Sequence, residues 1–422
     1  MLQNVKHRGR VIIIGGSMGG LFAGLRFMTS GWDAHIYERV EQELDARGAG
    51  IVTHEELFDA MRLVGVDPGD DIGVAVRGRS VWAKDGKRIC QREWRQVMTS
   101  WGLLYGKLLA AFPRERYYSG MELVEVREKG EIVQAVFADG TVAEGDLLVA
   151  ADGIHSTVRT QLAAKQRPEY CGYVAWRALV PEQELTAAFR RDVFMDFSFC
   201  LPPGEQFVGY PVAGPNNDLR AGHRNYNIVW YRPADPRQDL PFLLTDVDGI
   251  NNGVSIAPNR IRKTVIDAMF SDAQSILASQ FAEVLLKTAR PFIQPVFDLT
   301  TPRMSFGSVA VVGDAAFVAR PHVGMGVTKA ADDAIALVDC CEKHGNLRSG
   351  LETFDRKRRP ECSFIVQHAR DLGCYLEPHE KTEAERRFAQ KQCAPAAVLE
   401  NSGDTKFLRE FRQKWASTRR EL

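Results

Sequence analysis

The feature that most limits the fold is an opening strand, glycine-rich turn and helix. Residues 10–14 read Arg-Val-Ile-Ile-Ile, residues 15–20 read Gly-Gly-Ser-Met-Gly-Gly, and apolar residues then recur at helical spacing. A second strand is predicted at 33–37. Strand, helix and strand in this order form a βαβ unit, whose two strands are parallel. The pattern therefore predicts an α/β fold.

The turn has the spacing of a dinucleotide-binding fingerprint. Such a fingerprint needs one glycine for the turn, a second for close approach to a pyrophosphate and a third for helix packing. Here the three positions are Gly15, Ser17 and Gly20, and the Ser17 hydroxyl can donate a hydrogen bond to a phosphate. Glu38 follows the second strand, where a carboxylate accepts hydrogen bonds from a ribose. We predict adenine-dinucleotide binding; the alternative is a helix cap and a surface glutamate.

The rest of the chain contains strands predicted to join a parallel sheet and strands predicted to form an antiparallel one. Strands at 122–126, 133–137 and 146–150 are expected to extend the first sheet, and short aromatic-rich strands between 174 and 231 predict an antiparallel insertion. The predicted domains are a Rossmann-like nucleotide-binding domain at 1–170 with a small β excursion at about 73–98, a mostly antiparallel substrate domain at 171–295, the resumed nucleotide-binding domain at 296–373, and a helical C-terminal segment at 374–422.

Composition excludes several classes of protein. The chain has 54 basic and 54 acidic residues, so it lacks the basic excess typical of nucleic-acid-binding proteins. The apolar run near the N-terminus is far shorter than the roughly 20 residues of a membrane helix, and no signal peptide is evident. Eight cysteines show no zinc-binding spacing, so we expect buried free thiols, no metal site and a cytoplasmic protein.

Two more aspartates follow predicted strands. Asp152-Gly153 and Gly313-Asp314 each stand at a strand's carboxyl end, where open α/β sheets bind ligands. With the three motifs in this order, residues 10 to about 370 resemble the single-component flavin-dependent aromatic hydroxylases, the para-hydroxybenzoate hydroxylase-like class. Within that class, the glycine-rich turn and the segments 47–51 and 226–233 are most similar to members that act on hydroxypyridines.

The resemblance implies FAD as the cofactor. It would place Ser17, Glu38 and Arg39 at the ADP half of FAD and Asp314 at its ribityl or pyrophosphate region. Asp152 and Arg159 would serve both FAD and the nicotinamide cofactor, although Arg159 as a helix-surface charge is an alternative. The implied FAD contacts are Gly15, Gly16, Ser17, Met18, Gly19, Glu38, Arg39, Arg47, Gly48, Ala49, Gly50, Leu123, Asp152, Gly153, Arg159, Gly313, Asp314, Gly324, Met325, Gly326, Val327 and Thr328.

Residues 321–328 match the Pro-x-x-Gly-x-Gly loop of the class, which precedes a helix directed at the flavin. Pro321 and His322 are therefore the catalytic candidates, with His322 either a base or a substrate-orienting group, since an ordinary histidine exchanges protons near neutral pH. A histidine that only caps its own loop is the alternative. The substrate-contact candidates are His322, Tyr210, His223 and Tyr226.

The implied reaction is hydroxylation of an electron-rich ring. In the class, NADH or NADPH reduces FAD, O2 forms a hydroperoxide at the flavin C4a carbon, and the ring attacks its outer oxygen. We expect a hydroxypyridine-type substrate; a hydroxynicotinate, a hydroxypyridine with an acyl chain, urate and a phenol are rivals. An NAD-dependent dehydrogenase and a non-catalytic flavin-binding protein are the other readings. A homodimer is usual in the class, and the tail stripe of Phe407, Phe411 and Trp415 should pack on the body or on a partner.

Overall fold

A computed structural model of the protein describes residues 8–41 and 50–418. Its strands are β1 (Arg10–Ile14), β2 (Asp33–Tyr37), β3 (Gly50–Val52), β4 (Val74–Trp82), β5 (Arg88–Ser100), β6 (Tyr117–Tyr118), β7 (Leu123–Lys129), β8 (Ile132–Phe137), β9 (Val142–Gly145), β10 (Leu147–Ala150), β11 (Glu169–Pro181), β12 (Asp196–Cys200), β13 (Gln206–Val212), β14 (Asn225–Pro233), β15 (Phe292–Asp298), β16 (Ser305–Phe306) and β17 (Val309–Val311).

The described residues form thirteen α-helices, and the two longest lie in the C-terminal third of the chain. They are α1 (Met18–Thr29), α2 (Glu55–Leu63), α3 (Trp101–Ala111), α4 (Thr157–Leu162), α5 (Ala187–Asp192), α6 (Asp239–Leu244), α7 (Lys263–Ile276), α8 (Ser279–Leu286), α9 (Gly326–Lys343), α10 (Leu347–Gly373), α11 (Glu383–Gln392), α12 (Pro395–Asn401) and α13 (Lys406–Thr418).

The first sheet has the order β16-β17-β10-β1-β2-β6. All its neighbouring pairs are parallel except β16 with β17. β1 and β10 read as continuous apolar runs because helices cover the sheet, and their side chains share one core with those of α1 and α9. The prediction of an α/β fold with a parallel sheet is confirmed.

The second sheet has the order β15-β11-β14-β13-β12-β4-β5-β3 and is antiparallel except for the β12–β4 pair. Successive side chains point to opposite faces. On β14, Ile228 and Trp230 enter the core formed with α7 and α8, whereas Val229 and Tyr231 face the other way. The predicted excursion at 73–98 is not a separate feature of the first domain, because its strands β4 and β5 extend this antiparallel sheet.

One further expectation is corrected, and one open alternative is decided. Of the strands expected to extend the parallel sheet, only β10 does so, while β7, β8 and β9 pair among themselves in a third sheet. The tail stripe on α13 packs on its own chain: Phe411 stacks on Phe364 of α10 at 4.5 Å between ring centroids, and Phe407 stacks on His368 at 3.9 Å. All eight cysteines are free thiols. None of the helices in the described ranges has the length and apolarity to cross a bilayer.

We expect Gly20→Ala to destabilise the protein. A Cβ atom at Gly20 would stand 1.9 Å from the carbonyl oxygen of Gly15, and two backbone segments cannot separate without breaking the turn. The free energy of unfolding should fall by about 1–3 kcal/mol, measured by urea denaturation. The matched control is Gly106→Ala on the exposed side of α3, where a Cβ meets nothing within 4 Å. That control should gain about 0.5–1 kcal/mol, and equal losses in both variants would contradict the prediction.

Candidate active site

Three loops meet at the carboxyl edge of the parallel sheet, after β1, β10 and β17. The backbone of Ala151 donates to the carbonyl of Ile14 at 2.8 Å, and that of Val312 donates to Ala150 at 2.9 Å. Gly15 has a φ of +103°, and a Cβ there would stand 2.4 Å from the carbonyl oxygen of Ala151. The structure thus brings the three sequence motifs together in one place.

The first loop presents polar groups suited to a dinucleotide. Ser17 is the N-cap of α1, and its hydroxyl makes no capping hydrogen bond, so this hydroxyl and the helix N-terminus are both open to an anion. The buried Glu38 carboxylate accepts hydrogen bonds from the backbone N–H groups of Gly16 at 2.8 Å and Val40 at 3.0 Å. This arrangement holds the carboxylate beside the turn, as the ribose contact requires.

The second loop is tied to the third by Arg159. The residue is 2% exposed, and its guanidinium donates to the carbonyl oxygens of Ala315 at 2.8 Å and Ile154 at 2.6 Å. It is therefore not a helix-surface charge. One oxygen of Asp152 accepts from Val158 at 3.3 Å, and its other oxygen is buried with no partner among the described residues. Burial raises the pKa of the Asp152 carboxyl.

The third loop and the start of α9 form one wall of a cavity of about 340 Å³. Asp314 is exposed and borders this cavity. Partial removal of water by the surrounding protein raises the pKa of its carboxyl, opposed by the charge of Lys329. Gly324 has a φ of +65°, which turns the chain into α9. Gly326 begins that helix with open space around its Cα, so a planar ring can approach the helix N-terminus.

The opposite wall is the inner face of the antiparallel sheet. It consists of residues from five adjacent strands, β15, β11, β14, β13 and β12, among them Arg177, Phe199, Tyr210, Val229 and Tyr231. A mostly apolar cavity with a few polar groups is the usual form of a small-molecule site. Burial raises the pKa of the Tyr210 hydroxyl to about 12, so this group is protonated and can donate a hydrogen bond.

His322 lies in the cavity wall with both ring nitrogens engaged. The Tyr173 hydroxyl is 2.9 Å from Nε2, and Gln206 Oε1 is 3.0 Å from Nδ1. Burial and the nearby Arg320 lower the pKa of His322 to about 3, while burial raises the pKa of Tyr173 well above its ordinary value. With these pKa values, the Tyr173 hydroxyl donates a hydrogen bond to Nε2. Nδ1 then carries the ring proton and donates a hydrogen bond to Gln206 Oε1. The imidazole is therefore neutral and held in one orientation.

The C-terminal segment closes one side of the cavity. The backbone N–H of Gly403 donates to the carbonyl oxygen of His322 at 3.1 Å. The Gly403 carbonyl oxygen accepts from His54 Nε2 at 3.2 Å, from Gln96 at 3.1 Å and from the buried Arg79 at 3.3 Å. The backbone of Gly403 therefore joins its own segment to four other parts of the chain.

Gly50 is the part of the predicted segment 47–50 that the structure describes; Arg47, Gly48 and Ala49 lie outside the described residues. Its N–H donates to Asn227 Oδ1 at 3.1 Å. A Cβ at this position would stand 2.5 Å from the Tyr210 ring, so a glycine lets the start of β3 approach the side chains of β13 and β14 closely. Gly50 thereby borders the same cavity as Tyr210.

The structure does not bring two of the substrate candidates into the cavity. His223 is exposed in the turn before β14, 3.9 Å from Asp218. Tyr226 is fully buried on the far face of the sheet, where its ring packs edge-on against Phe189. The alternation of β14 separates Tyr226 from the cavity, because Tyr231 and Val229 have the opposite parity.

The remaining predicted cofactor residues differ in exposure. Arg39 is exposed beyond β2, and Pro321, Gly326 and Val327 border the cavity; Met18, Gly16, Leu123, Gly313 and Met325 are buried, and Gly19 and Gly153 are partly exposed. Thr328 is also buried, and its hydroxyl forms a hydrogen bond with His54 Nδ1 at 3.1 Å, so this side chain is engaged inside the protein.

Several cavity residues were missed from the sequence. Gln206 has the same strand parity as Tyr210, so the alternation of β13 was a usable signal for it. Arg177 could have been found as a charged residue within an otherwise apolar predicted strand. Tyr173 and Gly403 gave no signal, because only tertiary contacts connect them with His322.

The chemistry of these groups fits an FAD molecule extended along the carboxyl edge. The open Ser17 hydroxyl, the α1 N-terminus, the Glu38 carboxylate and the cavity-facing Asp314 suit an adenine dinucleotide, and the α9 N-terminus suits the electron-rich edge of a flavin. No group of three or more His, Cys, Asp and Glu side chains within 8–41 and 50–418 is arranged to hold a metal ion. Fold and site together define a flavin-dependent oxidoreductase.

Comparisons with known proteins identify the family. The family model "FAD binding domain-like" matches residues 170–298. The chain is 34% identical over 371 residues to 2,6-dihydroxypyridine 3-monooxygenase of Paenarthrobacter nicotinovorans, covering 87% of this chain and 91% of that protein. It superposes on the solved 2,6-dihydroxypyridine-3-hydroxylase of Arthrobacter nicotinovorans with a TM-score of 0.82 and 31% identity, covering 89% of this chain and 95% of that one.

A more distant structure shows the same fold. HpxO of Klebsiella pneumoniae, solved with FAD and uric acid, matches with a TM-score of 0.69 at 22% identity over 93% of this chain and 97% of that one. The chain belongs to the single-component FAD-dependent aromatic hydroxylases. The family resemblance is confirmed, and with it an FAD-dependent monooxygenase that uses NAD(P)H and O2.

We expect Glu38→Gln to weaken FAD binding. The amide keeps the size of the side chain but replaces one carboxylate oxygen with a donor, which cannot accept a bond from Gly16 N–H or a ribose hydroxyl. Loss of one charge-assisted hydrogen bond costs about 1.5–3 kcal/mol, so the Kd for FAD should rise about 10- to 100-fold in fluorescence titrations of the apoprotein. The control is Glu41→Gln at an exposed position nearby. Equal affinity in wild type and Glu38→Gln would contradict the assigned role.

We expect His322 to make the protein less stable in acid. Its pKa is about 3 in the folded protein against 6.5 in the unfolded chain, so below pH 6.5 only the unfolded chain gains this proton. The free energy of unfolding therefore falls as the pH drops from about 6.5 toward 3. In His322→Asn this dependence should be flatter, by up to about 1.4 kcal/mol per pH unit, measured by urea denaturation. His223→Asn, at the surface, gives the background, and identical slopes for wild type and His322→Asn would show that the imidazole titrates normally.

Proposed function

We propose that this enzyme hydroxylates a hydroxypyridine-type ring at a carbon atom held over the flavin. The observation that carries the proposal is the 34% identity to a 2,6-dihydroxypyridine 3-monooxygenase. The small cavity that adjoins the predicted flavin site is consistent with a substrate of this kind. Hydroxynicotinate, urate and phenolic substrates remain rivals, since relatives that act on 6-hydroxynicotinate and urate are 22% and 25% identical.

When bound, FAD supplies the transfer of reducing equivalents from NAD(P)H and the activation of O2. The residues of this chain would form the site around it. We propose that the residues of the first loop and Asp314 bind the cofactor, that the α9 N-terminus stabilises negative charge on its ring, and that the sheet wall orients the substrate.

The role proposed for His322 is orientation rather than proton abstraction. A base must be able to accept the substrate proton, but Nε2 already accepts from Tyr173 and the pKa of the ring is about 3. The neutral ring instead shapes the cavity wall beside Tyr231, whose ring centroid is 4.4 Å away. Pro321 is proposed to fix the start of the same loop.

Exclusion of water is the second proposed contribution of the protein. The Gly403 peptide seals the gap between β3, β5 and the His322 loop, and the apolar side chains of Phe199 and Val229 line the opposite wall. A closed apolar site favours oxygen transfer to the ring over release of peroxide into water.

NADH as the preferred donor, a cytoplasmic location and a homodimer are further proposals. The buried free thiols support a reducing compartment. The tail stripe no longer supports a dimer, because it packs within the chain.

The expected result for the purified protein is a yellow holoenzyme that oxidises NADH faster when a hydroxypyridine is present. The test is a panel of 2,6-dihydroxypyridine, 6-hydroxynicotinate, urate and 4-hydroxybenzoate, scored for stimulated NADH and NADPH oxidation, peroxide release and a product heavier by one oxygen atom. Stimulated oxidation with oxygenated product from the pyridines alone supports the proposal. Oxygenated product from urate or the benzoate but not from any pyridine would replace it with a rival.

A further inference from the structure

The C-terminal segment reaches the cavity through one turn, residues 402–405, which joins α12 to α13 and is called the C-terminal turn below. Ser402 and Gly403 are buried and border the cavity. A Cβ at Gly403 would stand 3.1 Å from the side chain of Val52 on β3, so the turn lies directly against that strand. The C-terminal turn therefore forms a part of the cavity wall that neither sheet supplies.

Arg79 on β4 binds the backbone of this turn. Its Nη1 donates to the carbonyl oxygens of Leu399 at 2.8 Å and Ser402 at 2.7 Å. Its Nη2 donates to the carbonyl oxygen of Gly403 at 3.3 Å and to Gln96 Oε1 at 2.8 Å. Leu399 lies in the last turn of α12, where carbonyl groups have no partner within the helix. One guanidinium therefore satisfies the end of α12 and fixes the turn that follows it.

The surroundings of Arg79 are unusual for a buried cation. The residue is 1% exposed, its guanidinium lies 4.3 Å from the ring centroid of Trp94, and its hydrogen-bond acceptors in the described part of the chain are all neutral oxygen atoms. Burial lowers the pKa of Arg79 to about 10, so the group still carries its charge at neutral pH. A buried charge is a poor source of stability, but its directed hydrogen bonds fix the position of a backbone.

Gly403 connects the C-terminal turn with the His322 loop, residues 321–324. Its N–H donates to the His322 carbonyl oxygen at 3.1 Å, and a Cβ at Gly324 would stand 2.9 Å from the Gly403 Cα, so the two backbones are in direct contact. His54 adds a link to α9, because Nε2 is 3.2 Å from the Gly403 carbonyl oxygen and Nδ1 is 3.1 Å from Thr328 Oγ1. A displaced C-terminal turn would therefore release the His322 loop and open the cavity beside the start of α9.

We propose that Arg79 is a positioning residue for the hydroxylation, because it holds the C-terminal turn against the His322 loop and so keeps water out of the cavity during oxygen transfer. Arg79 acts through Gly403 and is not one of the residues that line the cavity. The inference extends the proposed exclusion of water, and it rests on the proposed function for the aromatic substrate used in the test.

The closure of the cavity decides where the two oxygen atoms of O2 go. In hydroxylation, NADH and a proton supply two electrons, one oxygen atom replaces hydrogen in a C–H bond of the ring as a hydroxyl, and the other oxygen atom leaves as water. When water enters before the ring has reacted, NADH, a proton and O2 yield NAD⁺ and hydrogen peroxide, and the ring is unchanged. A displaced turn should therefore raise the share of NADH whose electrons end in peroxide.

The test compares the holoenzymes of wild type, Arg79→Met and Arg79→Lys. Arg79→Met keeps an unbranched side chain but removes the hydrogen bonds of the guanidinium. Hydrogen exchange, followed by mass spectrometry, should therefore become about 10-fold faster or more in the segments 399–405 and 321–324 and stay unchanged in 10–29. With the ring that the substrate panel identifies, NADH oxidation should continue, while oxygenated product per NADH falls and peroxide rises by the same amount. Arg79→Lys should restore part of the product yield, because an ammonium group also donates to carbonyl oxygens.

Two further variants complete the test. Arg92→Met is the matched control: Arg92 also lies over Trp94, at 4.6 Å, but it is exposed and makes no hydrogen bond to the C-terminal turn. Its product yield should equal that of wild type. Gln96, which is half-buried, donates to the Gly403 carbonyl oxygen at 3.1 Å. Gln96→Met should act in the same direction as Arg79→Met to a smaller extent, and it decides the question if Arg79→Met does not fold.

The proposal is overturned if Arg79→Met, or Gln96→Met in its place, yields as much oxygenated product per NADH as wild type. Faster exchange throughout the chain together with loss of FAD would overturn it too, because Arg79 would then contribute stability alone. An Arg92→Met variant that releases as much peroxide as Arg79→Met has the same consequence. Exchange is measured without substrate, so unchanged exchange in the two segments would reject the inference, and selectively faster exchange would support it, even if no ring in the panel were oxygenated.

Discussion

The site depends on the parallel pairing of β1 with β10 and of β10 with β17. Each ladder ends in a backbone hydrogen bond that passes directly into a functional loop, from Ala151 to Ile14 and from Val312 to Ala150. Segments about 150 residues apart in sequence therefore end side by side. Arg159 strengthens the junction, since it binds the carbonyl oxygens of both the second and the third loop.

A buried ionic network supports the third loop from behind. Asp333 on α9 accepts from the backbone of Gly313 at 3.0 Å and from Arg358 on α10 at 2.8 Å, and Arg358 also reaches Glu361 at 2.5 Å. Breaking such a buried pair leaves an unpaired charge, which is strongly destabilising. The network therefore fixes α9, and with it the helix N-terminus and Asp314, relative to the parallel sheet.

The cavity is built from two structures with different electrostatic character. The loops and helix N-termini on one side suit a dinucleotide with its anionic phosphates, while the sheet wall is mainly apolar and its polar groups are tyrosine hydroxyls, two glutamines and Arg177. Burial keeps His322 neutral and the tyrosines protonated. In a site of this kind, positioning and fixed charge are the contributions that the protein can make, and the electron transfer belongs to the cofactor.

The sequence by itself determined the nucleotide-binding half of the protein. The apolar run 10–14, the glycine spacing and Glu38 are local patterns, and each reflects a backbone requirement that few other residues meet, as the close contact between Gly20 and Gly15 shows. The short aromatic-rich strands between 174 and 231 were also readable from the sequence, and Gln206–Val212 is one of them. The substrate half was decided by tertiary structure. The alternation of side chains along β14 and β11 placed Tyr226 in the core and Arg177 at the cavity. The distant Tyr173 and Gly403 contact His322 only because separate elements pack together. Non-local contacts of this kind leave no periodic trace in the chain, because they depend on which faces of separate elements meet.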